Sequence, residues 1–153
     1  MNMVESAGLT DIGRKREINQ DAFYLNDRRG LYVIADGMGG HKAGEVASRI
    51  VVDTLRDSMS DPENSSEEMD YDNSFSPKAN RLLNAIRRAN KVVFQTSRED
   101  EKYHGMGSTV SVVYLCDNTI IGANVGDSPI FLIHRKHIEE ISVPHTLAAE
   151  QAA

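Results

Sequence analysis

The chain opens with short β-prone runs, turns to helical spacing in its middle and returns to short runs at its end. Ala22-Phe23-Tyr24-Leu25 and Leu31-Tyr32-Val33-Ile34-Ala35 flank the turn-forming stretch Asn26 to Gly30. That pattern predicts an antiparallel hairpin with a loop of several residues, and a further strand is expected around Val4 to Leu9. From Lys42 to about Met59, apolar residues fall at Ala43, Val46, Ala47, Ile50, Val51 and Leu55. This is the spacing of a helix with one buried face, and Asp61-Pro62 ends it. A second helix is predicted from Ser76 or Pro77 to Ser97, with Ser76 as N-cap and Pro77 in the first turn. Leu82, Ile86, Ala89 and Val93 form its core stripe. The remainder reads as antiparallel strands over Ser108 to Leu115, Thr119 to Val125, Pro129 to Ile133 and His137 to Ile141. Cys116-Asp117-Asn118 and His134-Arg135-Lys136 supply turns. Strands, two helices and strands again imply an α+β fold, an antiparallel β-sandwich or sheet flanked by helices.

Composition narrows the class. The 153 residues are one domain in size and can bury a real core. A formal net charge of -6 argues against nucleic-acid binding through a broad basic surface. No apolar run approaches the roughly 20 residues of a membrane helix. Met1 to Glu5 lacks the basic start and apolar stretch of a secretory signal, so a cytoplasmic protein is expected, with no membrane partner. The single Cys116 excludes an intrachain disulfide and a multi-cysteine zinc site. Residues 60–76 form an acidic, serine-rich loop. It reads as solvated chain or as a surface that selects or repels basic substrates.

Candidate chemistry concentrates where strands end. Asp36 closes a buried strand and leads into Gly37-Met38-Gly39-Gly40-His41. Glycines there let backbone approach a ligand closely, and a strand end before a helix start can face an ion or a phosphate. Upstream, Asp21 opens the strand expected to pair with the one ending at Asp36, which brings two carboxylates to one region. Hard divalent cations such as Mg²⁺ and Mn²⁺ take such oxygens. Arg16, five residues before Asp21, offers a planar fork of donors for a phosphate. Gly107-Ser108-Thr109 opens a later strand, and Asp127 within Gly126-Asp127-Ser128 is a third acid at a strand end.

These pieces resemble, in order, the PPM-type, phosphatase 2C-like family of metal-dependent serine/threonine protein phosphatases, the bacterial members above all. The matching strings are Arg16 to Asp21 (R-x-x-N-Q-D), Asp36 to His41 (D-G-M-G-G-H), Gly44 to Ser48, Gly107-Ser108-Thr109 and Gly126-Asp127-Ser128. The resemblance implies hydrolysis of phosphoserine and phosphothreonine in proteins by a water bridging two Mn²⁺ or Mg²⁺ ions. By the same resemblance Asp36 bridges both metals, the Gly37 carbonyl ligates one, and Asp21 acts through a metal-bound water. Arg16 holds the substrate phosphate, and Asp127 helps bind a third, labile ion. His41 is either a structural cap of the following helix or the proton donor to the leaving oxygen.

Two departures qualify the match. Pro129 stands where the family usually has an arginine after Gly-Asp-Ser. The family's later Asp-Gly and Asp-Asn motifs, each a source of a metal-binding aspartate, do not follow before the chain stops. The expectation is therefore a partial phosphatase domain over residues 1–153, impaired as an isolated chain, with exposed sheet edges that promote self-association. The other reading is a degenerate, non-catalytic module that binds phosphoproteins. The partner is in either case a phosphorylated protein, in the catalytic case one also served by an opposing serine/threonine kinase.

Overall fold

The computed structural model describes residues 4–40, 43–60 and 70–143. Strands β1 (Asp21–Asn26) and β2 (Leu31–Met38) form the expected hairpin, followed by α1 (Ala43–Ser60) and α2 (Pro77–Glu99). After a 3-10 turn at Glu101–Tyr103 come β3 (Gly107–Ser108), β4 (Val110–Cys116), β5 (Thr119–Val125), β6 (Phe131–His134) and β7 (His137–Glu140). Strands β1 to β5 make a five-stranded antiparallel sheet in the order β1-β2-β4-β5, with β3 also on β2; β6 and β7 pair as a separate hairpin. This is the expected α+β class.

Alternation along β2 decides where the helices sit. Leu31, Val33, Ala35 and Gly37 are buried, while Ile34, Asp36 and Met38 are exposed. The register sets Val33 opposite Tyr24 of β1 and Val112 of β4, so these residues share the covered face. On it Leu31, Val33, Val112, Leu55 of α1 and Leu82 of α2 are all at most 1% exposed. Each such side chain contributes about 1.5–3 kcal/mol by leaving water.

Helix α2 starts as its sequence predicts. Pro77 occupies the first turn, and the Ser76 hydroxyl accepts from the Ala79 N–H at 3.2 Å. Asn80, only 1% exposed, adds an anchor that helical spacing does not reveal. Its amide donates to the carbonyls of Asp72 and Phe75, and its oxygen accepts from the Asp72 N–H at 2.8 Å. The end of the acidic loop is thereby tied to α2. Asp70, also from that loop, pairs with Arg87 at 3.3 Å. Residues 61–69 of the loop lie outside the described residues.

Four expectations about strands need correction. Val4 to Leu9 is not a strand, because its backbone finds no ladder among the described residues. The segment instead runs beside β1, with Gly8 so close that a Cβ there would lie 2.7 Å from the Phe23 ring. The strand over Ser108 to Leu115 is broken at Thr109, for a reason that belongs to the site. The strand expected over Pro129 to Ile133 begins at Phe131, since proline has no N–H to offer a ladder. The 108–115 strand also extends to Cys116, whose side chain is buried at the strand end, and the turn is made by Asp117 at φ 54°. No helix of the described residues is long and apolar enough to cross a membrane.

Candidate metal and phosphate site

The hairpin does with Asp21 and Asp36 what its pattern implied. The two are direct partners in the β1–β2 register, so both carboxylates rise from the face of the sheet that the helices leave open. Their proximity shows in the proton affinity of Asp36, which is raised. Partial loss of water around the carboxyl is the largest cause, followed by the charge of Asp21 and a hydrogen bond with it. Arg16 pulls in the opposite direction, and the charge of Asp127 pushes the same way as Asp21. Arg16 and Asp21 from one end of the chain and Asp127 from the other thus all act on Asp36.

Each carboxylate has its own support. The Thr10 hydroxyl donates to Asp21 Oδ2 at 2.9 Å, and Asn19 accepts the Asp21 N–H at 3.0 Å while its amide reaches Thr10 at 2.9 Å. Thr10 is a member of the site that sequence reading missed, because a lone threonine between Leu9 and Asp11 carries no pattern. Asp36 is held from the other side. Its carbonyl accepts from the Thr109 N–H at 2.9 Å and the Ser108 hydroxyl at 3.2 Å, and its N–H donates to the Thr109 hydroxyl at 3.0 Å. Gly107-Ser108-Thr109 stood out in the sequence as a string without a role; cradling Asp36 is that role.

Glycine is required immediately beyond. The Gly37 N–H donates to the Gln20 carbonyl at 3.0 Å. A Cβ on Gly37 would fall 1.9 Å from the Gly44 carbonyl oxygen, and one on Gly44 would fall 2.8 Å from the Gln20 amide. Those two glycines seat the first turn of α1 directly on the strand end that carries Asp36. Gln20 closes the corner by donating to the Gly39 carbonyl at 3.2 Å.

The donors gathered here are hard oxygens: two opposed carboxylates with a backbone carbonyl beside them. That chemistry suits Mg²⁺ or Mn²⁺. Among the described residues no three side chains of His, Cys, Asp or Glu converge as a metal cage. Asp21 and Asp36 therefore fit as one wall of a metal centre. His41 lies outside the described residues. His104, His134 and His137 are exposed.

A family model for protein phosphatase 2C matches residues 12–152. The chain belongs to the protein phosphatase 2C family. Protein phosphatase PhpP of Streptococcus pneumoniae is 34% identical over 154 residues, covering 96% of this chain and 57% of its own length. The serine/threonine phosphatase of S. agalactiae superposes with a TM-score of 0.76 at 32% identity, covering 94% of this chain and 57% of that one. The catalytic domain of the serine/threonine phosphatase PstP, solved in complex with two manganese ions, superposes with a TM-score of 0.73 at 26% identity. It covers 92% of this chain and 55% of that one. The chain thus spans a little over half the length of the relatives it matches.

Proposed function

We propose that the protein to which these residues belong hydrolyses phosphoserine and phosphothreonine in phosphoproteins, with Mn²⁺ or Mg²⁺ as cofactor. The observation that carries this reading is the register pair Asp21–Asp36, with Arg16 within electrostatic reach of Asp36, in a chain of the protein phosphatase 2C family. Asp36, the Gly37 carbonyl and, through water, Asp21 would hold two cations, and Asp127 would help hold a third. Such ions, when bound, supply an acidified water and positive charge against the phosphate. Arg16, exposed and planar, holds the phosphate with paired donors. Asp21 and Thr10 keep the neighbouring carboxylate wall oriented. The physiological partner is a phosphoprotein under the control of an opposing kinase, and the setting is the cytoplasm.

The described residues contribute one wall of the metal centre, so we expect weak turnover from this chain in isolation. The assay is phosphopeptide hydrolysis with Mn²⁺, comparing wild type with Asp36→Ala and Arg16→Ala. Loss of most activity in Asp36→Ala and a raised KM in Arg16→Ala support the assignments. Equal rates for wild type and Asp36→Ala rule out the metal site. A chain that binds phosphopeptide but never hydrolyses it would favour a non-catalytic binding module.

A further inference from the structure

The strand break at Thr109 has a structural counterpart in the loop of Asp127. The pairs Ile34–Ser111 and Gly37–Ser108 bracket Asp36 and Thr109 in one continuous register, so an ordinary ladder would exchange two backbone hydrogen bonds between them. Only one is made: the Thr109 N–H donates to the Asp36 carbonyl at 2.9 Å. The other rung is replaced. The Asp36 N–H goes to the Thr109 hydroxyl at 3.0 Å, while the single Ser108 hydroxyl proton is shared between the Thr109 carbonyl at 2.8 Å and the Asp36 carbonyl at 3.2 Å.

That substitution frees the Thr109 hydroxyl to do two things. Besides accepting from Asp36, it shares a hydrogen bond with the Ser128 hydroxyl at 2.9 Å. The Thr109 methyl lies against Gly126, where a Cβ would come within 2.8 Å of it and where φ is +101°. The residue after Asp127 is fastened again from behind. The Ser128 carbonyl accepts from the Ser111 hydroxyl at 2.5 Å and from the Asn124 amide at 2.6 Å, and that amide also donates to Ser111 at 2.9 Å. Pro129 follows, and a residue before proline is confined to extended backbone, which fixes where the Ser128 carbonyl points.

We infer that Thr109, with Ser128, Ser111 and Asn124, forms a clip that sets the Asp127 loop at a fixed position relative to Asp36. Thr109 is a positioning residue for cation binding. The inference rests on the metal reading above for its consequence, but the clip itself is a property of the metal-free chain. A backbone rung would have tied Asp36 to Thr109 only. The hydroxyl rung passes the restraint on to the loop that carries the third carboxylate.

Thr109→Val is the decisive variant, since it keeps the Thr109 methyl and the β-branched shape and puts a second methyl where the hydroxyl was. Thr109→Ser keeps the hydroxyl and is the rescue. Two measurements are made on the metal-free protein: amide hydrogen exchange at Asp36 and Gly126, and Mn²⁺ titration by calorimetry. Loss of one hydrogen bond of ordinary strength is expected to speed exchange and weaken Mn²⁺ binding by about fivefold in Thr109→Val, with Thr109→Ser close to wild type. Ser128→Ala should speed exchange in the loop and leave the Asp36 amide less affected. If Thr109→Val exchanges and binds as wild type does, or if Thr109→Ser behaves like Thr109→Val, the clip is overturned. If wild type takes up no Mn²⁺, the metal reading fails, and the exchange data still decide the clip. Should Thr109→Val fail to fold, unchanged exchange at Gly126 in Ser128→Ala overturns the proposal.

Discussion

The two faces of the sheet are made by the same strands and have opposite properties. On the helix-covered face, Val33 and Leu55 have no exposed surface. On the open face, Ile34 is 54% exposed and Ile120 57%. That open face carries Asp21 and Asp36. Period-2 alternation is what allows this division: β2 spends Leu31, Val33 and Ala35 on the core and leaves Asp36, one residue on, free for chemistry. The backbone around Asp36 is held by the buried neighbours Ala35 and Gly37 and by hydrogen bonds to Thr109, to which the Asp36 side chain contributes nothing.

The comparison breaks most visibly at Leu55. Leu55→Ala should cost about 2–5 kcal/mol, read as a lower midpoint in urea denaturation with an unchanged slope. Next in size is Gly37→Ala. Its Cβ would meet the Gly44 carbonyl, so α1 must shift, at a cost of about 1–3 kcal/mol. Because that shift moves the strand end, this variant should also weaken Mn²⁺ binding, which Leu55→Ala in its folded fraction should not. Ile34→Thr on the open face should change stability by no more than about 0.5 kcal/mol. A loss several times larger would mean that this face is covered in solution.

The smallest effect has the opposite sign. Asp36 has a raised proton affinity in the folded, metal-free chain, so the folded state holds its proton to higher pH than the unfolded state does. Stability from this group is present below the unfolded value and is lost as pH rises through the folded one. Asp36→Asn removes that penalty and should raise the melting temperature at pH 7 by about 1–2 °C. The gain should vanish at a pH below the ordinary carboxylate range. A destabilised Asp36→Asn at pH 7 would show that the carboxylate is stabilised, not repelled, by its surroundings.

How much of this could be read from the sequence follows the range of the interactions. The helices were legible because apolar spacing at Ala43, Ala47, Val51 and Leu55 reports a buried stripe directly. So was the approach of Asp21 to Asp36, since a hairpin brings the start of its first strand to the end of its second; their direct pairing was not, because a loop of several residues leaves the register open. The break at Thr109 was not legible. It comes from a side chain competing with a backbone carbonyl for the Asp36 N–H, and no periodicity records such a contest. Thr10 and Asn80 escaped for the same reason, because each acts through hydrogen bonds to partners remote or irregular in sequence. Val4 to Leu9 failed differently: a β-prone run becomes a strand only where another strand pairs with it.

The most direct test of the central claim, that the open face carries a cation site built on Asp36, is Mn²⁺ binding at pH 7 by calorimetry, wild type against Asp36→Asn. The account expects saturable binding by wild type and a loss of more than about tenfold in the variant, the scale seen for even the outer partners of a metal. Equal isotherms for the two proteins would contradict it.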